Sequence, residues 1–214
     1  ELKKDFNQKY STEIHPLVFD VRNRNEVEEA IDSLPAEWKS IDMLVNNAGL
    51  AAGFSNFETA SLDDWEQMID TNLKGLLFVT RKVLPLMSRS VTPYIFNVGS
   101  TAGKYVYENG NVYCATKFAV NALSQSMRID LLKQNIRVTA IHPGAVETEF
   151  SLVRFKGDEE KARQVYKGFN PLTGADIADV IYYCANTNPN VCISELIVTP
   201  TAQANPYYIN RKNG

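Results

Sequence analysis

Residues 94–141 read YIFNVGSTAGKYVYENGNVYCATKFAVNALSQSMRIDLLKQNIRVTAI, and this stretch decides the fold. A strand over 94–98 stops at Gly99-Ser100, helical periodicity runs through 112–132, and a second strand follows at 136–141. Two strands separated by a long helix pair in parallel, because a parallel pair needs a crossover of a dozen or more residues.

The same alternation extends in both directions. Upstream, 15–21 reads as a strand, and Asn23 caps a helix whose Val27, Ala30, Ile31 and Leu34 share one apolar face before Pro35 closes it. Residues 41–45, apolar apart from Asp42, form a short strand that runs into the turn cluster Asn46-Asn47-Ala48-Gly49. Ser61 starts a long helix with acidic Asp64 in its first turn; Trp65, Met68, Ile69, Asn72 and Leu76 follow at helical spacing, Asn72 being the one polar member. The 112–132 helix is expected to bury Phe118, Ala122 and Leu123. Downstream come helices at 159–167 and 176–185, a strand at 195–198, and a tail containing Pro200 and Pro206. The fold class is α/β, a doubly wound parallel sheet with helices on both faces. A single domain spans 1–214, with 201–214 as its tail.

Composition narrows the function. The chain has 214 residues, 44% hydrophobic and 22% charged, and a net charge of -3 without a long basic run, so nucleic acid is not an expected partner. No stretch is long and apolar enough for a membrane helix, and the charged residues 1–10 are unlike a signal peptide, so a cytoplasmic protein is expected. Cys114, Cys184 and Cys192 have no metal-ligand spacing with the two histidines; they read as free thiols, with Cys114 a small packing residue and no metal expected. Residues 1–9 resemble the back half of a helix with no strand or glycine-rich turn ahead of it. The chain is therefore expected to start mid-domain, the complete protein carrying a phosphate-cradling loop ahead of Glu1.

The chemistry is concentrated at Tyr113 and Lys117. Four residues apart on a helix, they project from one face, where an ammonium can stabilise a phenolate and move the tyrosine toward working pH. Alone, such a pair is equally a tyrosine packed beneath a solvated lysine. Ser100 adds weight, because it ends the preceding strand, where open α/β sheets place ligands, and its hydroxyl can bond a substrate oxygen.

Taken in order, Asn46-Asn47-Ala48-Gly49, Asn72 in Asn-Leu-Lys-Gly, Gly99-Ser100, Tyr113-x3-Lys117 and Pro143-Gly144 resemble the short-chain dehydrogenase/reductase family. The resemblance implies a Rossmann-like fold, with Tyr113 as general acid/base, Ser100 as donor to the substrate oxygen, Lys117 as phenol activator and ribose ligand, and Asn72 as holder of a relay water. It further implies an adenine contact at Asp20-Val21 and a cofactor strip at Asn46, Asn47, Ala48 and Gly49. Pro143, Gly144, Ala145, Val146 and Thr148 would clasp the nicotinamide. His142 reads as a strand-end residue, and a homotetramer built partly on the two long helices is implied.

Residues 148–157, with Asp20-Val21-Arg22-Asn23-Arg24, 34–38 and the Pro-Thr-x-Gln tail at 200–203, are similar to NADP-dependent 3-hydroxy acid dehydrogenases acting on serine. Arg154 then fits either a substrate carboxylate or a surface salt bridge. NADP rests on this resemblance, with NAD left open, because the strand end that discriminates them is not in the chain. The implied reaction is hydride exchange between NADP(H) and a small-molecule 3-hydroxy acid such as serine, or reduction of malonic semialdehyde in reverse. The alternatives are a ketone, sugar or steroid reductase of the same fold, and a non-catalytic scaffold without the nucleotide loop.

Overall fold

The computed structural model describes residues 6, 10, 12–88 and 91–212; the helix expected over 1–9 lies outside these, Phe6 apart. Four parallel strands, β1 (Met43–Asn46), β2 (Tyr94–Val98), β3 (Arg137–Pro143) and β4 (Glu195–Val198), form one sheet in that spatial order. Met43 pairs with Tyr94, Tyr94 with Arg137, and Ala140 with Glu195.

Helices cover both faces. Helix α1 (Arg24–Asp32) begins where the Asn23 side chain accepts from the backbone N–H groups of Asn25 and Glu26. Its Val27 and Ile31 join Val83, Ile95 and Val138 in one core. On the opposite face Tyr94, Phe96 and Ile141 pack against Ile177 and Cys184 of α7 (Gly174–Ala185), which starts at a Thr173–Asp176 capping box. Period-2 alternation sends Ile95 to one core and Tyr94 and Phe96 to the other, as a doubly covered parallel sheet requires.

Four expectations need correction. The strand expected over 15–21 does not form: these residues have no ladder partner among the described residues, Val21 lies in a turn, and Val18 stands 98% exposed while Phe19 packs on the first core. Strand β1 is half covered rather than buried, with Met43 and Val45 exposed, because it stands at the edge of the described sheet.

The helix from Ser61 is interrupted: α2 (Leu62–Ile69), capped by Ser61, gives way to a π-helical turn at Asp70–Gly75 and then α3 (Leu76–Val83). Last, α4 (Asn111–Asp130) leaves Phe118 and Ala122 exposed and Leu123 only half-buried. It buries Tyr113, Cys114, Thr116, Lys117, Val120 and Ser124 instead, so its inward face carries the polar groups. After α4 come two short helices, α5 (Phe150–Arg154) and α6 (Glu159–Gln164).

Candidate active site

Parallel strands end at one edge of the sheet, and the segments leaving Asn46, Val98 and Pro143 meet there. Ser100 has extended backbone and caps a short 3-10 turn, Thr101–Gly103, by accepting from Ala102 N–H at 3.1 Å. The first two turns of α4 bring Tyr113 and Lys117 against this turn. Lys117 Nζ lies 5.9 Å from the Tyr113 ring centroid and donates to the Val98 carbonyl at 3.0 Å.

Both groups are buried, and burial dominates their proton affinities. The Tyr113 phenol is pushed well above the ordinary tyrosine value by burial and by the neighbouring Tyr107, with Ser100 and Arg154 pulling the other way. Burial alone brings Lys117 down to about 8. The expectation that the ammonium moves the phenol toward working pH thus meets an opposing effect, loss of solvation, and the groups that pull the phenol down are Ser100 and Arg154 rather than Lys117.

Asn72 sits in the π turn, whose extra residue turns the side chain across to the neighbouring loop. Its Oδ1 accepts from Leu50 N–H at 2.8 Å, while Nδ2 donates to the Leu50 carbonyl at 2.8 Å and to Thr116 Oγ1 at 3.1 Å. Asn72 therefore ties the loop after β1 to the helix that carries Tyr113.

Other candidates lie as follows. Asn47, Ala48 and Gly49 are exposed beside this cluster. The Asn46 side chain turns inward instead, donating to Thr80 and Asn97 at 2.9 and 2.8 Å. Asp20 is chelated by Arg22, which holds its carboxyl below the usual range, and Val21 packs on Gly75 of the π turn; neither is brought to Tyr113.

Gly144 N–H donates to Val198, and Ala145 N–H donates to Gln203 Oε1 at 2.8 Å, so the tail fixes the segment after Pro143. Val146 bridges Leu172, and Thr148 Oγ1 accepts from Phe150 N–H at 3.3 Å. Helix α5 then brings the Phe150 ring to 5.6 Å from Tyr113 and the Arg154 guanidinium over the same ring, also at 5.6 Å. Arg154 makes no ion pair among the described residues, and its buried Nε has no hydrogen-bond partner. Thus Ser100, Tyr113, Lys117, Asn72, Gly49 and Arg154 converge.

The cluster fits a nicotinamide dinucleotide. A Cβ on Gly49 would stand 3.2 Å from Asn72 Oδ1 and 3.3 Å from Lys117 Nζ, so this strip is open where a side chain would close it. The Lys117 ammonium spends one of its three donors on Val98, which leaves two for a diol such as ribose.

Sequence reasoning missed several neighbours. Fully buried His142 has Nδ1 3.1 Å from the Ser100 carbonyl and Nε2 without a partner; 42 residues of separation hid the link. Thr116 carries a signal in its spacing, three residues past Tyr113 on the same helical face. Phe54 and Tyr107, whose rings flank Arg154, lie in irregular loops and carry none.

A model of the short chain dehydrogenase family matches residues 1–158. The NADP-dependent 3-hydroxy acid dehydrogenase YdfG of Salmonella typhi is 50% identical over 186 residues, 86% of this chain and 75% of that protein. An NADP-dependent 3-hydroxy acid dehydrogenase of Schizosaccharomyces pombe is 41% identical over 212 residues, 99% of this chain and 82% of that one. Among solved structures, the closed form of a serine dehydrogenase complexed with NADP+ superposes with a TM-score of 0.88 at 44% identity, covering 99% of this chain and 85% of that chain.

Proposed function

This chain belongs to the short-chain dehydrogenase family, and we propose that it moves a hydride between NADP(H) and C3 of a 3-hydroxy acid, serine among its substrates. The observation that carries this reading is the Tyr113–Ser100–Lys117 cluster with the Arg154 guanidinium, which makes no ion pair among the described residues, against the tyrosine ring. A reacting oxygen held at Tyr113 by a molecule with a nearby carboxylate uses both features; a neutral alcohol uses only the first.

When bound, the cofactor would supply the hydride acceptor in its oxidised form, whose ring carries a positive charge, and the hydride donor in its reduced form. In oxidation Tyr113 takes the C3 hydroxyl proton as the C3–H hydride departs; in reduction the phenol returns it to the oxygen. Ser100 donates to that oxygen and holds it in line. Lys117 turns its two free donors to ribose and places positive charge on the phenolate side. Asn72 fixes the loop that carries Asn47, Ala48 and Gly49 along the cofactor, its amide also addressing a relay water. Pro143, Gly144, Ala145, Val146 and Thr148 would hold the nicotinamide, and Asp20 and Val21 the adenine. Oxidation of serine gives aminomalonic semialdehyde, and in the reductive direction malonic semialdehyde gives 3-hydroxypropanoate.

The protein works in the cytoplasm as a homotetramer. Exposed Phe118 and Ile129 on α4 and Leu77 on α3 supply apolar surface for subunit packing, and no helix of the described residues is long and apolar enough to cross a membrane.

Initial rates of NADPH loss with the full-length protein test the substrate class. Malonic semialdehyde is expected to exceed neutral ketones in kcat/KM by at least about tenfold, since a desolvated Arg–carboxylate pair contributes on the order of 1.5–3 kcal/mol, and NADPH is expected to be preferred to NADH, as the likeness to NADP-dependent relatives supports. Neutral ketones turning over better than the oxo acid would move the assignment to a ketone, sugar or steroid reductase.

A further inference from the structure

Arg154 is a cation without a counter-ion among the described residues. Its guanidinium carbon lies 4.7 Å from the Phe54 ring centroid, 5.5 Å from Tyr107 and 5.6 Å from Tyr113. Ring faces attract a cation yet use none of its N–H donors, so the aromatic surround holds the group and leaves it donors beyond the one that meets the Tyr107 hydroxyl, the buried Nε among them. The backbone is anchored too, because the Arg154 carbonyl accepts from Gly53 N–H at 3.0 Å.

Of the three rings, Tyr107 is the one built into place from several sides without a part in proton transfer. Its carbonyl accepts from Gly110 N–H at 3.0 Å, closing a turn in which Asn109 has a left-handed φ of 60°. Its ring lies so close to Gly110 that a Cβ there would stand 2.7 Å from Cε2. The preceding carbonyl, Val106, accepts from the Tyr207 hydroxyl of the tail. Burial raises the Tyr107 phenol and Arg154 pulls it back, which places hydroxyl and guanidinium in one electrostatic neighbourhood; Tyr107 also acts on Tyr113.

We infer that Tyr107 is a specificity-determining residue: its ring seats Arg154, and its hydroxyl is a second donor to the substrate carboxylate. In a 3-hydroxy acid the reacting carbon and the carboxylate carbon are two bonds, about 2.5 Å, apart. Arg154, packed on the Tyr113 ring and beside Tyr107, spans that interval. This inference rests on the assignment of Arg154 to the carboxylate, and the experiment separates the two.

Steady-state kinetics with NADP compares 3-hydroxypropanoate with its methyl ester, one carbon skeleton with and without the charge, in wild type, Tyr107→Phe, Tyr107→Leu and Arg154→Leu. Tyr107→Phe is expected to lower the acid-to-ester ratio of kcat/KM about tenfold, chiefly through KM for the acid, and Tyr107→Leu to lower it further. Arg154→Leu is expected to abolish the preference. A Tyr107→Phe ratio equal to wild type, or equal loss on acid and ester, while Arg154→Leu abolishes the preference, overturns the role of Tyr107 alone. A ratio that survives Arg154→Leu overturns the carboxylate site itself.

Discussion

Asn72 grips Leu50 by both polar ends of its amide, accepting from the Leu50 N–H and donating to the Leu50 carbonyl, each at 2.8 Å. Twenty-two residues separate the two, and the π turn at Asp70–Gly75 points the side chain across the gap. A third bond, to Thr116 Oγ1, ends one position before Lys117. Loop, π turn and α4 are thereby one unit.

Asn72→Ala removes all three bonds and leaves the Leu50 backbone groups to find partners in a partly buried place. The expected loss is about 2–4 kcal/mol of unfolding free energy in a urea titration. Thr116→Val, which removes one bond, is expected to lose about 1 kcal/mol. An Asn72→Ala protein as stable as wild type would show that the grip contributes nothing to folding.

Lys117 sets a pH dependence of stability. Its folded pKa of about 8 lies below the 10.5 of an exposed lysine, so between those values the unfolded chain binds more protons and stability from this residue rises with pH. It is lost as pH falls through 8. Above about 10 the raised Tyr113 phenol opposes this, since unfolded tyrosine ionises there first. The stability of wild type minus that of Lys117→Met is expected to rise by about 2 kcal/mol from pH 8 to 10. A flat difference would place the ammonium in water.

Two glycines predict opposite signs. At Gly103 a Cβ would meet the Lys117 backbone oxygen at 2.5 Å and carbonyl carbon at 2.8 Å, obstacles that move only if α4 moves. Gly103→Ala is expected to destabilise by about 1–3 kcal/mol and to reduce turnover by shifting Tyr113 and Lys117. At Gly174, the first residue of α7, nothing lies within 4 Å of the added atom, and alanine is expected to stabilise by about 0.4–1 kcal/mol. Thermal melts read both, and a common sign would contradict the packing described for Gly103.

What was legible in the sequence follows from where the determinants lie along the chain. Strands at 94–98 and 195–198 and the caps at Asn23 and Ser61 are local signals, and each stands at its expected place. The parallel sheet covered on both faces was readable from the alternation of strands and helices, and the tyrosine–lysine spacing from one helical turn.

Four features were not local. The π turn replaces a continuous helix because Asn72 bonds Leu50 across tertiary space, and nothing in 61–83 beyond one polar residue on an apolar face announces it. Residues 15–21 carry the composition of a strand, yet strands exist only through ladder partners. On α4 the polar set Tyr113, Thr116, Lys117 and Ser124 is inside while Phe118 is outside, so hydrophobicity selects the wrong face. The aromatic surround of Arg154 is assembled from loops at 54 and 107 and has no periodicity to read.

The most direct test of the proton-transfer assignment is single-turnover loss of NADPH absorbance with malonic semialdehyde in full-length Tyr113→Phe, a change that removes one oxygen and keeps the ring packed on Phe150. Turnover is expected to fall by about 10²–10⁴ while NADPH still binds, the factor general acid catalysis contributes. A Tyr113→Phe enzyme that keeps most of the wild-type rate would contradict Tyr113 as the group that moves the proton.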